Sequence, residues 1–274
     1  MSNQSDPPNL RLHISDLQDI LNSIALNNTA KSESVWYEYW DCVLNYWTRR
    51  VSDRTMRLSV APQRQLVREI LSDNTQADTD QDWSFEANRG DTSMDLSGNP
   101  PSIQKRIREA RAGVETQYRI PDFTAFALRR HGLPHRRLVC IIEIKPRADM
   151  FRSRVSRSAP QIVTQAKFAF DSFPDLRHVL AIIAFGDSWC MYRFPRDEVT
   201  RLYHEQVEGL GDKDAYDPER ESTSPTDIDI DKFIVILASK VLKADGSNYH
   251  TAFEKALSLI TTDLKASSDP LKHE

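Results

Sequence analysis

The spacing of apolar positions in the first part of the chain predicts three helices. Residues 10–26 place apolar side chains at positions 14, 17, 20, 21, 24 and 25, which form one face of an α-helix. Residues 32–51 and 62–71 are predicted as the next two helices, and Pro62 suits a first helical turn. The second helix is dense in aromatic residues, namely Trp36, Tyr37, Tyr39, Trp40, Tyr46 and Trp47. Such rings favour core packing over the stacking of bases, and they also permit an interface in a homodimer or with a protein partner.

Later apolar runs predict a sheet of four to five strands. Residues 138–144 form a short run rich in β-branched side chains, which is typical of a central strand buried on both faces. Residues 179–185 predict a second buried strand, and Gly186 turns the chain into another strand at 189–194. Further helices are predicted at 102–112, 161–173, 196–203, 230–242 and 251–266.

These elements predict five successive regions. They are an N-terminal helical region (1–72), an acidic flexible loop (73–101), an α/β core with a mixed sheet (102–200), an acidic loop (201–231) and C-terminal helices that pack on the core (232–274). Within the core, residues 147–158 carry several arginines without a clear apolar period, so we expect a basic loop there.

Composition indicates a protein that works inside the cell, in the nucleus or the cytoplasm. No run of eighteen apolar residues is present, and the first twenty residues lack the apolar stretch of a signal peptide. The three cysteines, Cys42, Cys140 and Cys190, are odd in number and widely spaced, which fits reduced buried thiols. We therefore expect neither secretion nor a membrane span.

The net charge of −4 conceals a strongly uneven distribution. Residues 104–157 contain fourteen Lys and Arg against five Asp and Glu, whereas residues 205–231 contain ten acids against two basic residues. The basic residues can contact phosphates, and the candidates are Lys105, Arg108, Arg147, Arg152 and Arg154. A solvated surface without a nucleic-acid partner is the competing interpretation.

Glu143 lies inside the buried strand at 138–144 and requires compensation, because a buried carboxylate without a cation is costly. Lys145 is the nearest cation, and the two-residue period of a strand places it on the same face. If the chain folds into a hairpin about Gly132 and Leu133, paired residue numbers add to 265, and Asp122 lies opposite Glu143. Two carboxylates and one ammonium group would then meet in a single patch.

Two carboxylates in such a patch repel each other unless a cation joins them. Mg²⁺ takes one or two carboxylates and keeps its other positions for water and phosphate oxygens, which suits a phosphodiester substrate. Asp122 and Glu143 are therefore the candidate ligands for Mg²⁺ or Mn²⁺. The competing interpretation is structural: Glu143 and Lys145 form an ion pair at a strand end, and Asp122 merely begins a strand.

The order Pro121-Asp122, about twenty residues and then Glu143-Ile144-Lys145 resembles the motif of the PD-(D/E)XK nuclease superfamily. The resemblance covers residues 118–194 and implies a restriction endonuclease-like α/β core flanked by helices from both termini. It further implies that Lys145 assists the attacking water and that a glutamine on the next helix, Gln165 or Gln161, steadies the site. An acid from a preceding helix sometimes joins the metal site in such nucleases, and Glu69 is the candidate.

The function that these residues imply is metal-dependent hydrolysis of phosphodiester bonds in DNA or RNA. A second function from another class is also compatible with the sequence. A catalytically inactive protein of the same fold would bind nucleic acid or a protein partner without cutting, because one fold serves many tasks.

Overall fold

The computed structural model describes residues 9–52, 56–71, 114–129, 136–147, 151–207 and 228–266. The fold is mixed α/β. Its helices are α1 (Leu10–Leu26), α2 (Ser34–Val51), α3 (Phe151–Ser172), α4 (Arg196–Leu202) and α5 (Thr251–Ala266). Its strands are β1 (Met56–Pro62), β2 (Leu66–Leu71), β3 (Val114–Arg119), β4 (Phe123–Arg129), β5 (Arg136–Lys145), β6 (His178–Phe185), β7 (Ser188–Pro195) and β8 (Ile234–Lys240).

Six of these strands form one mixed sheet in the order β1-β4-β5-β6-β7-β8. Only β5 and β6 pair in parallel, and helix α3 makes the connection between them, as a parallel pair requires. Strand β5 has neighbours on both edges, and residues 138–145 are all buried. This confirms the central strand that its β-branched sequence predicts.

The predicted register of the β4–β5 hairpin is confirmed at the end of the hairpin that carries the acids. Phe123 pairs with Ile142, Thr124 with Ile141 and Ala125 with Cys140, so each pair adds to 265. Beyond Ala125 the register shifts by one residue, as in a β-bulge. The predicted turn at Gly132 and Leu133 lies outside the described residues.

Each face of the sheet is covered by helices that bury a different set of strand residues. On one face α1, α2 and α5 pack against side chains such as Ile142, Ile144 and Ile182. On the other face α3 and α4 pack against Ile141, Ile183 and their neighbours. The strand period of two sends alternate side chains into these two cores, which explains the uninterrupted apolar sequence of β5 and β6.

The aromatic residues of α2 lie in the first of these cores. Trp36, Tyr39, Trp40 and Trp47 are at most 1% exposed, and Trp40 packs edge-on against Phe253 of α5. Core packing is therefore confirmed for these four rings. The prediction of a homodimer or protein partner through the N-terminal helices stays a prediction.

The chain divides into two compact units. One comprises Met1–Leu66 and Arg119–Glu274 and contains the six-stranded sheet with the five helices. The other comprises Val67–Tyr118, and its described part belongs to a two-stranded sheet of β2 and β3. The predicted acidic loop at 73–101 and basic helix at 102–112 lie outside the described residues, as do Lys105, Arg108 and most of the acidic segment at 201–231.

Three predicted elements are wrong. Residues 62–71 are not a helix, because the chain ends β1 at Pro62 and forms β2 from Leu66. The helix predicted at 230–242 is β8, where three β-branched residues in succession favour a strand. The basic loop predicted at 147–158 is largely the start of α3, which begins at Phe151 and continues through Pro160.

The other predicted helices near the termini are confirmed, with α1, α2, α4 and α5 within two residues of their expected bounds. All three cysteines are free thiols, and Cys140 and Cys190 are buried. In the described part of the chain, no helix combines the length and the apolar character that crossing a membrane demands.

Candidate active site

The three residues of the predicted motif meet at one end of the sheet. Glu143 and Lys145 are the last two residues of β5 whose side chains lie on the face that α3 covers. Asp122 immediately precedes β4. The exposed fractions of Asp122, Glu143 and Lys145 are only 8%, 2% and 8%. The structure thus brings two carboxyl groups and an ammonium group together in a desolvated place, as the hairpin register predicts.

Glu143 accepts hydrogen bonds at both carboxylate oxygens. Lys145 Nζ lies 2.6 Å from Oε1, and Gln161 Nε2 donates to the same oxygen at 2.5 Å. Gln165 Nε2 donates to Oε2 at 2.7 Å. The two glutamines are one helical turn apart on α3, so they project from the same side of that helix. Both candidate glutamines therefore contact Glu143, where the sequence analysis expected one.

Asp122 is held by a different set of hydrogen bonds. Its Oδ2 accepts a hydrogen bond from the Ile144 N–H at 2.6 Å, and its Oδ1 accepts one from the hydroxyl of Tyr37 on α2. The same hydroxyl lies 3.1 Å from Oε1 of Glu33, the residue that immediately precedes α2. Sequence reasoning missed Tyr37. Its one signal is that position 37 lies beside the buried stripe of α2 rather than within it, so its side chain is only half-buried.

Too little positive charge surrounds Asp122 to keep its carboxyl group ionised as readily as in water. Burial, followed by repulsion from Glu143, raises the pKa of Asp122 from its usual 3.8 to about 7. The hydrogen bonds from Tyr37 and Ile144 and the charge of Lys145 oppose this rise but do not cancel it. Burial and the contact with Asp122 also raise the pKa of the Tyr37 hydroxyl, which keeps that hydroxyl a neutral donor.

A buried acceptor beside Glu143 indicates a further polar partner. Gln165 directs its Nε2 at Glu143, and among the described residues no donor reaches its Oε1. Buried polar atoms are normally satisfied by protein or water, so an unsatisfied one deserves an explanation. A hydrated cation at the two carboxylates would supply O–H donors in this region.

The donor set suits a hard divalent cation only in part. Asp122 and Glu143 supply two carboxylates, which is enough for Mg²⁺ when waters fill its remaining positions. Within the ranges that the structure describes, no group of three or more His, Cys, Asp or Glu side chains could hold a metal. Glu69, the predicted further ligand, lies in β2 rather than on a helix, and its side chain lies outside the described residues.

Exposed arginines follow Lys145 in the chain. Arg147 is exposed, and its Nε lies 4.0 Å from Asp187 Oδ1. Arg152 and Arg154 are exposed in the first turn of α3. The N-terminus of a helix already carries partial positive charge, so arginines placed there strengthen an attraction for anions.

Comparisons with known proteins identify no family for this chain. No protein-family model matches the sequence. Searches of curated proteins and of solved structures likewise give no match. The functional argument therefore depends on the geometry of the site.

Proposed function

We propose that this protein is a metal-dependent nuclease of the PD-(D/E)XK type, built on a restriction endonuclease-like core. The observation that carries the proposal is the burial of Asp122, Glu143 and Lys145 together at the end of β5, with the pKa of Asp122 raised to about 7. A carboxyl group whose pKa is raised by burial and by a neighbouring carboxylate marks a candidate functional site.

Asp122 and Glu143 would hold Mg²⁺ or Mn²⁺, and the unsatisfied Oε1 of Gln165 is compatible with water on such an ion. When bound, the ion supplies charge stabilisation at the phosphate and a more acidic water. The expectation from the sequence for Glu69 stays a prediction. Both carboxylates belong to one hairpin, and hydrogen bonds from the protein already orient each of them.

Lys145 would orient the attacking water or stabilise the negative charge that develops on the phosphate. Its Nζ already lies 2.6 Å from Glu143, so the ammonium group is directed into the site. Gln161 and Gln165 hold Glu143 from α3, which fixes the carboxylate without adding charge. Arg147, Arg152 and Arg154 would contact the phosphates of DNA or RNA near the same end of the sheet.

One observation favours a second candidate function. The carboxylate of Glu143 already accepts three hydrogen bonds, from Lys145, Gln161 and Gln165. A closed network of this kind is stable without a metal, so a protein of this fold that binds nucleic acid or a protein partner without cutting is the alternative. The two candidates differ in whether divalent metal binds at Asp122.

The test is cleavage of labelled single- and double-stranded DNA and RNA with Mn²⁺, Mg²⁺ or EDTA. The wild type is compared with Asp122→Ala, Glu143→Ala and Lys145→Met. Lys167→Met is the matched control, because Lys167 is equally buried and pairs with Asp171 at 2.5 Å within α3. We expect the wild type and the Lys167→Met control to cut only when metal is present. The three site variants should not cut. Cutting that survives all three site variants would refute the proposal.

A further inference from the structure

Tyr37 is the contact between the N-terminal helices and the candidate catalytic carboxylates. Its hydroxyl donates to Asp122 across 85 positions of sequence, and its ring packs near Phe123 at the start of β4. The side chain is half-buried, so the hydroxyl lies at the border of the desolvated site. The nuclease motif alone assigns no role to this residue.

The hydroxyl has a single hydrogen for two neighbouring carboxylates. It lies closer to Asp122 than to Glu33, whose Oε1 is 3.1 Å away, so Asp122 receives the stronger hydrogen bond. Together with the Ile144 N–H on Oδ2, this bond fixes both oxygens of Asp122. Each oxygen keeps a second lone pair, so the carboxylate is held in one orientation and can still act as a ligand.

Helix α2 has a fixed position relative to the end of β5, which makes Tyr37 a rigid donor. Trp40 Nε1 donates to the Gly186 carbonyl at 2.9 Å. The Gly186 N–H in turn donates to the Lys145 carbonyl at 3.0 Å. Trp36 fills the remaining space, since a Cβ on Gly186 would lie 2.9 Å from its ring.

A second connection joins the segment before α2 to the residues after Lys145. The Ala30 carbonyl accepts from Trp36 Nε1 at 2.9 Å and from the Arg147 N–H at 3.2 Å. Helix α2 is thus linked to Asp122, to the backbone of Lys145 and to the backbone of Arg147. A donor on so well-anchored a helix has little freedom to follow Asp122 if that carboxylate moves.

We propose that Tyr37 is a positioning residue, which holds Asp122 in the orientation that metal binding and hydrolysis require. The N-terminal helical region is then part of the active site. This inference rests on the proposed nuclease function. Hydrogen-bond partners of metal ligands orient those ligands, and their loss typically weakens metal affinity or activity about 10- to 100-fold.

The test is Tyr37→Phe, which removes the hydroxyl and leaves the ring against Phe123. Mn²⁺ binding is measured by calorimetry, and kcat and KM are measured on a labelled oligonucleotide. We expect the dissociation constant for Mn²⁺ to rise about 10- to 100-fold. We also expect kcat to fall while KM for the oligonucleotide stays within about twofold of wild type, because Tyr37 touches Asp122 and not the arginines.

The matched control is Tyr249→Phe, which removes a hydroxyl that lies 2.6 Å from His13 Nε2 within the helical layer. It should lower thermal stability and leave Mn²⁺ affinity unchanged. If Tyr37→Phe binds Mn²⁺ as tightly as the wild type, the positioning role is refuted and the nuclease proposal stands. If the folded wild type neither binds Mn²⁺ nor cuts, the proposed function is refuted and the positioning role with it.

Discussion

Replacing Asp122 with Asn should stabilise the metal-free protein at neutral pH. The pKa of Asp122 is about 7 in the fold against 3.8 for the free group, so its ionisation in the folded state is costly. A difference of this size corresponds to about 4 kcal/mol at pH 7, since one pKa unit is worth about 1.4 kcal/mol. The figure is an upper bound because Asp122 and Glu143 titrate together.

The direction of the pH dependence follows from the raised pKa. Below pH 3.8 Asp122 is protonated in both the folded and the unfolded state and costs nothing. As the pH rises towards 7, the unfolded chain ionises first, so the folded state loses stability relative to it. The amide that Asp122→Asn introduces cannot ionise, so this variant should escape the loss between about pH 4 and pH 7.

The hydrogen bonds around position 122 permit the substitution. In Asp122→Asn the amide oxygen can accept from the Ile144 N–H, and the amide nitrogen can donate to the hydroxyl oxygen of Tyr37. The hydroxyl hydrogen of Tyr37 can then turn to Glu33, whose Oε1 is 3.1 Å away. Because every group retains a partner, the gain is not offset by a buried unsatisfied atom.

The assay is urea unfolding of the wild type and of Asp122→Asn in EDTA at each unit from pH 4 to pH 8. The free energies of unfolding should be similar at pH 4, and the variant should be more stable at pH 7 and pH 8. Asp187→Asn is the control, since Asp187 is equally buried but lies 3.2 Å from Lys240 Nζ and should lose stability when neutralised. If the difference in free energy of unfolding between the wild type and Asp122→Asn is the same at every pH, the reasoning is refuted.

Two further predictions concern the helical layer that supports the site. Gly186→Ala should destabilise the fold by about 1–3 kcal/mol, measured by urea unfolding, because its φ of +63° is strained for other residues and the new Cβ would lie 2.9 Å from Trp36. Burial lowers the pKa of His13 below its usual 6.5, so the wild type should lose stability relative to His13→Gln as the pH falls below 6.5. An unchanged difference between pH 8 and pH 5 would contradict the second prediction.

The register of the candidate site is the part of the structure that sequence reasoning captures best. The β-branched run of β5 and the turn signal at Gly132 before it are local, and together they predict the register in which Phe123 pairs with Ile142 and Thr124 with Ile141. The failures have the opposite character. Strand β1, for which the sequence analysis predicted no strand, pairs with β4, with Met56 opposite Arg129 more than seventy positions away, and no local period reveals such a partner.

Tyr37 shows the same limit within the site itself. The neighbouring residues in the sequence predict a helix packed in the core, and this prediction is confirmed for Trp36 and Trp40. Its role depends on the angle at which α2 crosses the end of the sheet, which is set by contacts such as that of Trp40 with Gly186. Periodicity predicts which face of a helix is buried, but it does not predict which distant polar group that face meets.

The two carboxylates differ in how their charge is balanced, and this difference separates the candidate functions. Glu143 accepts hydrogen bonds from an ammonium group and two amides, whereas Asp122 accepts them, among the described residues, from the neutral Tyr37 hydroxyl and Ile144 N–H and keeps a raised pKa. A proton or a divalent cation can each neutralise this carboxylate, so the two compete at Asp122.

Adding Mn²⁺ at pH 7 should therefore cancel the advantage of Asp122→Asn in unfolding experiments. At a concentration about 100 times its dissociation constant, a ligand of the folded state adds about 2.7 kcal/mol, which only the wild type should gain in full. If the protein is a binding protein without a metal site, Mn²⁺ should change the stability of neither the wild type nor Asp122→Asn. The hydrogen-bonded network at Glu143 would then be complete without a metal. Stability with and without Mn²⁺ thus distinguishes nuclease from scaffold without requiring that the substrate be known.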